Sequence, residues 1–282
     1  MHPIISYIIK KLCPVYPEQE AQSLAKIIAT DALGFDIVTL LTDKDIKISD
    51  YQKEELRQII KRLQQNEPIQ YILGTTSFCG LTFHIASGVL IPRQETEELT
   101  TTIIRENKSQ EPQNVLDIGT GSGCIAITLS NSFQKTNVEA WDISDKALEQ
   151  ARHNNEQLHT NVRFDKVNIL TVGHGKTIKE TYDIIVSNPP YIANKEKVDM
   201  NPNVLDWEPN LALFVPDDDP LIFYRHIINF SIKSLRTGGI LYLEINPNYK
   251  DGLRNMIQKV GFREIEITKD VFERYRFIKA RK

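Results

Sequence analysis

The sequence predicts an α/β fold in which a mostly parallel sheet follows a small all-α domain and a linking β-hairpin. Three observations lead to this prediction. Apolar residues recur at helical spacing from residue 17 to about residue 63, and glycines interrupt an apolar, β-rich stretch at residues 68–92. From about residue 111, short β-rich runs alternate with helical stretches. Such alternation is typical of parallel sheets with crossover helices.

Seven strands are predicted for the sheet. The last two lie too close together for a helical crossover, so we expect the final strand to be antiparallel. The predicted strands are residues 115–118, 138–141, 162–167, 183–186, 240–245, 263–267 and 274–280. The predicted domains are a helical domain at residues 1–70, the linking hairpin at residues 71–92 and the α/β domain at residues 93–282.

One helix of the N-terminal domain has a recognisable start. Asp50 precedes Lys53 by three residues, and Glu54 and Glu55 follow at once. Acidic residues stabilise the N-terminal turn of a helix. We therefore predict that Asp50 caps a helix that ends near Gln65.

The composition excludes several classes of protein. A formal net charge of −3 over 282 residues offers no electropositive surface large enough for nonspecific binding to duplex nucleic acid. Cys13, Cys79 and Cys124 are far apart and odd in number, which argues against a disulfide framework and a zinc cluster. Prolines and charges interrupt the apolar N-terminal residues, so no signal peptide or membrane span is predicted. We expect a cytoplasmic monomer without metal, membrane contact or direct nucleic-acid contact.

A glycine-rich loop follows the first predicted strand of the sheet and precedes a helical run. Such a loop can bind a dinucleotide, because helix N-termini attract pyrophosphate. However, Cys124 stands where a dinucleotide fingerprint requires its third Gly or Ala. Asp117 at the strand end would repel a pyrophosphate and would suit a cationic amino-acid ligand. The predicted ligand-binding residues here are Asp117, Gly119, Thr120, Gly121, Ser122 and Gly123.

The next two strands also end in polar side chains. Asp142 closes its strand about 20 residues after the loop, where Rossmann-type folds bind ribose hydroxyls. Ser144 supplies the oxygen that caps the following helix, which leaves Asp142 for a ligand. The third strand ends at Asn168 and Ile169, whose amide and apolar side chain suit an adenine ring.

A rigid corner, Asn188-Pro189-Pro190-Tyr191, follows the fourth strand at its carboxyl end, where open α/β sheets bind their ligands. The Asn188 side-chain oxygen and the Pro189 carbonyl can each accept one N–H of an NH₂ group. The two prolines fix the backbone, and Tyr191 is expected to stack its ring on a flat amide or base. The alternative interpretation is an ordinary turn after a buried strand. The combination of this corner with the glycine loop and Asp142 favours a binding site for a planar nitrogen over an ordinary turn.

Further stretches accompany these motifs, and together they resemble a known family over most of the chain. They are residues 68–74 (PIQYILG), 88–99 (GVLIPRQETEEL), 117–125 (DIGTGSGCI), 187–192 (SNPPYI) and 208–213 (EPNLAL). The family is that of the release-factor glutamine methyltransferases, which methylate the glutamine side-chain amide in the Gly-Gly-Gln motif of class-1 peptide chain release factors. The Asn-Pro-Pro-Tyr motif alone is shared with amino-methyltransferases that act on nucleic acids, whereas the combination is specific.

The resemblance implies a class I Rossmann-like methyltransferase fold, S-adenosylmethionine as cofactor, and a helical domain that docks the release factor. It implies that residues 188–191 hold the glutamine amide. The residues implied in cofactor binding are 119–123, Asp142, Asn168, Ile169 and Asn188.

The stretch at residues 88–99 adds Arg93, Glu95 and Thr96, which the resemblance implies brace the substrate side of the pocket; the alternative is an ordinary helix start. Two residues depart from the family pattern. Asn168 occupies a place often held by Asp, and Gln94 replaces a proline. The first departure bears on the predicted adenine contact rather than on the activity.

Three alternative functions have distinct signatures. A nucleic-acid base N-methyltransferase would flip a base into the same pocket and should carry a basic recognition surface, against which the acidic balance of the chain argues. A non-catalytic binding module is disfavoured by the intact corner at residues 188–191. A nicotinamide-dependent oxidoreductase is disfavoured by Cys124 and by the absence of a hydride-transfer constellation in the sequence.

Overall fold

A computed structural model of the chain describes residues 2–42, 48–172 and 181–282. Helices dominate the N-terminal part. They are α1 (Pro3–Leu12), α2 (Glu18–Ile27), a π-helical turn (Ile28–Ala32), α3 (Ile37–Thr42), α4 (Asp50–Leu63) and α5 (Ile69–Leu73).

Strands and helices alternate in the remainder of the described chain. In chain order they are β1 (Thr75–Phe78), β2 (Leu81–His84), α6 (Gln94–Asn107), β3 (Asn114–Ile118), α7 (Cys124–Ser132), β4 (Asn137–Asp142), α8 (Asp145–Gln157), β5 (Val162–Lys166), β6 (Tyr182–Ser187), β7 (Ile192–Ala193), a 3₁₀ turn (Asn194–Asp199), α9 (Pro202–Leu205), α10 (Asn210–Leu213), β8 (Phe214–Val215), α11 (Ile222–Ser234), β9 (Leu235–Glu244), a 3₁₀ turn (Pro247–Tyr249), α12 (Lys250–Val260), β10 (Arg263–Lys269) and β11 (Tyr275–Arg281).

The chain divides into two compact units. One comprises Met1–Thr75 with Asn201–Trp207, and the other comprises Thr76–Met200 with Glu208–Lys282. The first unit is thus slightly longer than the helical domain predicted at residues 1–70, and it also includes the short segment Asn201–Trp207. The domain boundaries at residues 1–70, 71–92 and 93–282 remain predictions.

The helical unit has an apolar core of its own. Helices α1, α2 and α4 contribute buried residues at helical spacing, among them Ile8, Leu24 and Leu63. The Tyr16 hydroxyl donates to the Leu63 carbonyl at 2.7 Å, which connects the end of α4 to the segment between α1 and α2. Burial of these apolar side chains provides the main stabilisation, at about 25 cal/mol per Å² removed from water.

The start of α4 differs from the prediction. Ser49, not Asp50, is the N-cap: its hydroxyl accepts a hydrogen bond from the Gln52 amide, and the Gln52 side chain accepts one from the Ser49 amide in return. This reciprocal capping box satisfies two backbone donors, which a lone carboxylate at position 50 could not do. Asp50 is instead the first helical residue, paired with Lys53 at 2.8 Å.

The second unit is built on a seven-stranded sheet with the order β10-β11-β9-β6-β3-β4-β5. All seven strands predicted from the sequence are present, within a few residues of their predicted bounds. Strand β11 runs antiparallel to both of its neighbours, and the remaining pairs are parallel. The prediction of an antiparallel last strand is therefore confirmed.

The strand order reverses at β3. The chain proceeds from β3 outward through β4 to β5, and then returns to place β6 on the other side of β3. Ile118 at the end of β3 pairs in register with Ser187 at the end of β6. Because ligands of open α/β sheets bind where the strand order reverses, the loops that follow these two residues define the expected binding edge.

Alternate side chains of each central strand enter two apolar layers. Val115 belongs to the layer under α6 and α7, whereas Leu116 belongs to the layer under α11 and α12. The predicted hairpin forms over a narrower range than residues 71–92, because residues 69–73 are helical. Its Phe78 and Phe83 rings meet edge to face in the first layer, with centroids 6.0 Å apart.

No helix among the described residues is long and apolar enough to cross a membrane.

Candidate active site

The glycine loop folds against its own strand ends. Four of its amides donate hydrogen bonds within the protein: Gly119 and Thr120 to the Trp141 carbonyl, Gly121 to the Asp142 carboxylate, and Gly123 to the Thr120 carbonyl. A pyrophosphate-binding loop would leave such amides free to face its ligand. The structure therefore argues for a ligand without a pyrophosphate, as the sequence also indicates.

Gly119 and Gly123 share one requirement for glycine, and Gly123 has a second. Both have positive φ angles, +78° and +83°, which L side chains rarely adopt. At Gly123 a Cβ would also lie 2.8 Å from the Ile127 Cδ1 atom and 3.1 Å from the Ala151 Cβ atom, so the Ile127 side chain and α8 would have to shift to admit it. Gly119 instead lies on the exposed side of the loop, where a bare backbone leaves room for a ligand.

A cavity of the second unit opens at the carboxyl ends of the strands. Its wall includes many of the residues that the sequence predicts for ligand binding: Gly119, Gly121, Asp142, Asn168, Ile169, Asn188, Pro189 and Pro190. Thr120, Ser122 and Gly123 are buried behind the loop, outside that wall. The structure thus brings the second, third and fourth strand ends together around one cavity.

Asp117 does not line the cavity. Its side chain is fully buried, and one carboxylate oxygen accepts a hydrogen bond from the Thr120 hydroxyl at 2.6 Å. Burial raises the pKa of Asp117 to about 7. This placement differs from the prediction that Asp117 faces a cationic ligand, because the strand pleat directs it beneath the loop, where it supports the loop backbone.

Asp142 is placed to bind hydroxyl groups. Its two oxygens accept hydrogen bonds from the amides of Gly121 and Ser144, both at 2.9 Å. The Asp142 residue lines the cavity, and a carboxylate oxygen can accept more than one hydrogen bond. Ser144 caps α8 by accepting from the Ala147 amide at 3.3 Å, as predicted. Burial raises the pKa of Asp142, and the backbone donors act in the opposite direction.

The Asn168 side chain forms a turn at the end of its strand. Its oxygen accepts from the Leu170 amide at 3.0 Å, which leaves the NH₂ group as the part free to meet a ligand. Ile169 and Leu170 extend the cavity wall with apolar surface, and Val89 and Phe223 add to it. Such a wall suits the faces of a flat heteroaromatic ring.

The corner after β6 is held by two hydrogen bonds, one buried and one partly buried. Ser187 donates to the Ile118 carbonyl at 2.6 Å and fixes the corner beside the glycine loop. The Asn188 Nδ2 atom donates to the Thr96 hydroxyl oxygen at 3.0 Å. The Asn188 side chain lines the cavity, so its amide oxygen remains available there as an acceptor.

Tyr191 lies behind the corner, outside the cavity wall. Its ring packs against the apolar layer under α11, and its hydroxyl donates to Glu244 at 3.0 Å. This placement differs from the predicted stacking on the acceptor, because a buried hydroxyl needs an acceptor and Glu244 supplies one. Burial raises the pKa of Tyr191, with the negative charge of Glu244 adding to the effect.

The three residues predicted to brace the substrate side also lie outside the wall. Arg93 forms an ion pair with the buried Glu208, which also accepts from the Ile91 amide at 3.3 Å. Pro209, which follows Glu208 in the chain, lines the cavity. The ion pair with Glu208 therefore lets Arg93 support the cavity wall from behind. Glu95, half-buried at the start of α6, forms no cavity wall, and Thr96 is buried against Asn188.

Glu244 is a buried residue behind the corner that the sequence patterns do not single out. It ends β9, is 1% exposed, and accepts from Thr96 at 2.7 Å and from Tyr191 at 3.0 Å. The available signal was a carboxylate that closes an otherwise apolar strand at the ligand-binding edge. Glu208 lies in the stretch at residues 208–213, whose sequence does not reveal its ion pair with Arg93.

The sheet order, the glycine loop and the corner define a class I methyltransferase fold. Residues 81–205 match the family model of the methyltransferase small domain, and residues 6–74 match that of the PrmC N-terminal domain. The chain is 48% identical over 281 residues to the release factor glutamine methyltransferase of Bacteroides thetaiotaomicron, covering 99% of each chain. It is 39% identical over 275 residues to that of Flavobacterium psychrophilum, covering 96% of this chain and 95% of the relative. The chain belongs to the release factor glutamine methyltransferase family.

Solved structures with low sequence identity share the fold. A methyltransferase from Pyrococcus furiosus matches with a TM-score of 0.52 and 20% identity, covering 80% of this chain and 98% of that chain. The 16S rRNA N2 G1207 methyltransferase of Thermus thermophilus, solved with AdoMet and guanosine, matches with a TM-score of 0.53 and 18% identity, covering 74% of this chain and 49% of that chain. These similarities support the predicted fold.

The chain is an S-adenosylmethionine-dependent methyltransferase, and its cavity fits that cofactor. The bare backbone at Gly119 leaves room for an amino-acid moiety, Asp142 offers acceptors for ribose hydroxyls, and the apolar wall at Ile169 and Leu170 suits adenine. When bound, the cofactor supplies an electrophilic methyl group on a sulfonium.

Proposed function

We propose that this chain transfers the methyl group of S-adenosylmethionine to the side-chain amide nitrogen, N5, of the glutamine in the Gly-Gly-Gln motif of class-1 peptide chain release factors. Two independent lines support the proposal. The curated relatives named above carry the corresponding name, at up to 48% identity over nearly the whole chain. In addition, the Asn188 amide commits its nitrogen to Thr96, which leaves its oxygen to face an acceptor in the cavity.

The corner residues act by binding and orienting the acceptor amide. The Asn188 oxygen and the Pro189 carbonyl each accept one of its two N–H groups. An amide nitrogen is a weak nucleophile because its lone pair is delocalised into the carbonyl, so alignment contributes most of the catalysis. Both oxygens also favour the positive charge that develops on this nitrogen. No general base is required, because the methylated nitrogen loses its proton readily.

The binding mode of the partner is part of the same proposal. The helical unit docks the release factor, and the chain acts as a cytoplasmic monomer without contact to membrane or nucleic acid. The net charge of −3 supports a protein substrate over duplex nucleic acid.

One labelling experiment tests the proposed function. The purified chain is incubated with cofactor carrying a labelled methyl group and with one of three substrates: a class-1 release factor, the same factor with the motif glutamine replaced by alanine, or nucleic acid. We expect label on the intact factor alone, with mass spectrometry placing it on that glutamine. Label on nucleic acid, or equal label on the alanine-substituted factor, would refute the proposal.

A further inference from the structure

The two ends of an asparagine side chain have nearly the same shape but opposite hydrogen-bonding character. The oxygen accepts, whereas the NH₂ group only donates. If the Asn188 amide turned by 180°, its NH₂ group would face the NH₂ group of the acceptor glutamine. The corner would then repel the group that it must bind, so the site requires a device that fixes the Asn188 orientation.

Thr96 supplies the first part of that device. Its hydroxyl has one proton, which it donates to Glu244 Oε2 at 2.7 Å. Toward Asn188, 3.0 Å away, the hydroxyl oxygen can therefore only accept. Because Thr96 is 3% exposed, water does not offer the amide another partner there. The nitrogen of Asn188 must face Thr96, and the oxygen must face the cavity.

Glu244 supplies the second part, because the direction of the Thr96 proton depends on an acceptor behind it. Both carboxylate oxygens accept from hydroxyl groups, Oε2 from Thr96 and Oε1 from Tyr191. An ionised carboxylate offers acceptors only, so it holds both hydroxyl protons toward itself. A protonated Glu244 could instead donate to Thr96 and release the Thr96 proton toward Asn188.

Groups on several elements surround Glu244. The Tyr224 hydroxyl donates to its main-chain oxygen at 3.1 Å, the Arg276 guanidinium acts on it from β11, and the carboxylate of Glu95 acts from α6. Burial raises the pKa of Glu244, whereas the Thr96 and Tyr191 donors lower it. The acid form is therefore populated at higher pH than for an ordinary glutamate.

The geometry points to Thr96 and Glu244 as positioning residues that fix the orientation of the Asn188 amide through a directed chain of hydrogen bonds. This inference rests on the proposed transfer to an amide nitrogen. It assigns the two residues a role in turnover and none in cofactor binding, since neither lines the cavity.

Two substitutions at Thr96 separate orientation from packing. Thr96→Val keeps the shape and removes the hydroxyl, and we expect kcat to fall by about tenfold to hundredfold while the Kd of the cofactor stays within about twofold. Thr96→Ser restores the hydroxyl and should recover kcat to within about threefold of the wild type. Thr100→Val is the matched control: the hydroxyl of this buried threonine, one turn further along α6, donates to the Thr96 carbonyl at 2.8 Å rather than to a side chain of the corner.

The pH dependence of kcat provides a second readout. In the wild type, kcat should fall as Glu244 takes up its proton, at a pH above the ordinary glutamate range. Thr96→Val removes the hydroxyl that links Glu244 to Asn188. In this variant kcat should therefore no longer show this fall at low pH, the acid limb of the profile. Glu244→Gln cannot take up a proton, and its amide offers one acceptor oxygen to the two hydroxyls where the carboxylate offers two, so its kcat should be reduced and without the limb.

The outcomes distinguish this inference from the proposed function. A wild-type kcat in Thr96→Val, or an equal loss in Thr96→Val and Thr96→Ser, would overturn the positioning role. A loss confined to cofactor affinity would overturn it as well. Failure of the wild type to label release factor would instead refute the proposed substrate, and the Thr96 series would then be measured on nucleic acid if that acceptor takes the label.

Discussion

Asp117 and Glu244 are both buried carboxylates that accept a hydrogen bond from a threonine hydroxyl, yet their partners lie at very different distances along the chain. Asp117 pairs with Thr120, three residues away, beneath the glycine loop. Glu244 pairs with Thr96, 148 residues away, behind the Asn-Pro-Pro corner. The glycine loop of the cofactor half is thus stabilised by a local contact, whereas the corner of the acceptor half is held by contacts between distant elements.

This difference predicts that the two halves can be disabled separately. Substitutions at the corner should lower turnover, and substitutions at the loop and its neighbours should lower cofactor affinity or stability. The predictions below address the two halves in order of expected effect.

Asn188→Ala should have the largest effect. It removes one of the two acceptors that align the amide, so we expect kcat on release factor to fall about a hundredfold to a thousandfold. The Kd of the cofactor, measured by calorimetry, should change by no more than about threefold. Asn131→Ala, at an exposed position on α7, is the control. Parallel losses in turnover and affinity would show that the two halves cannot be separated.

Asp142→Ala should weaken cofactor binding first. The substitution removes acceptors for ribose hydroxyls and the bond that holds the Gly121 amide. Two hydrogen bonds to a charged group correspond to about a hundredfold in Kd. At saturating cofactor, kcat should stay near that of the wild type. Asp145→Ala, which removes only an exposed pair with Lys166, should leave Kd unchanged; an unaltered Kd in Asp142→Ala would exclude the ribose role.

Asp117 should make the cofactor-free protein less stable as pH rises. Its folded-state pKa of about 7 lies above the unfolded value of about 3.9, so the folded chain holds this proton more tightly. The resulting stabilisation is complete below the unfolded pKa and is lost as pH rises through about 7. Asp117→Asn should therefore reduce the fall in unfolding free energy between pH 5 and pH 8 by about 2 kcal/mol.

Chemical denaturation at several pH values, followed by circular dichroism, measures this slope. Asp218→Asn, in an exposed acidic run, is the matched control and should leave the slope as it is. An identical slope in Asp117→Asn and the wild type would mean that the buried carboxyl does not titrate in this range.

Asn168→Asp should have the smallest effect. The Asn168 oxygen is already used by the Leu170 amide, so the side chain presents a donor to the cavity. A carboxylate would keep the turn and add an acceptor for the adenine amino group. We expect the Kd of the cofactor to decrease about threefold, with kcat unchanged. Weaker binding in this variant would place the adenine amino group away from residue 168.

The features that depend on residues close together in the chain could be predicted from the sequence. Periodic apolar residues gave the seven strands, and the glycine spacing after β3 gave the loop that lines the cavity. Ser144 could be identified as a helix cap because its partner lies only three residues further on. Even local signals can be misassigned, as at α4, where the reciprocal bonding of Ser49 with Gln52 outweighs the acidic residue beside it.

The roles of Thr96 and Tyr191 could not be predicted in the same way. Both meet Glu244, which lies 148 and 53 residues away from them in the chain. Sequence patterns show neither the pairing of distant strand ends nor the face on which a hydroxyl is buried. Asp117 was misplaced for a related reason, since its position in the loop motif does not reveal that its carboxylate points beneath the backbone.

The insertion of β11 between β9 and β10 has a consequence for synthesis. Until residues 275–281 are made, β9 carries an open hydrogen-bonding edge and Glu244 lacks the neighbouring Arg276. Open edges pair readily with other chains, so a partly translated chain is exposed to aggregation at this strand. We therefore expect a nascent chain to acquire protease resistance and methyltransferase activity together, only once β11 has left the ribosome.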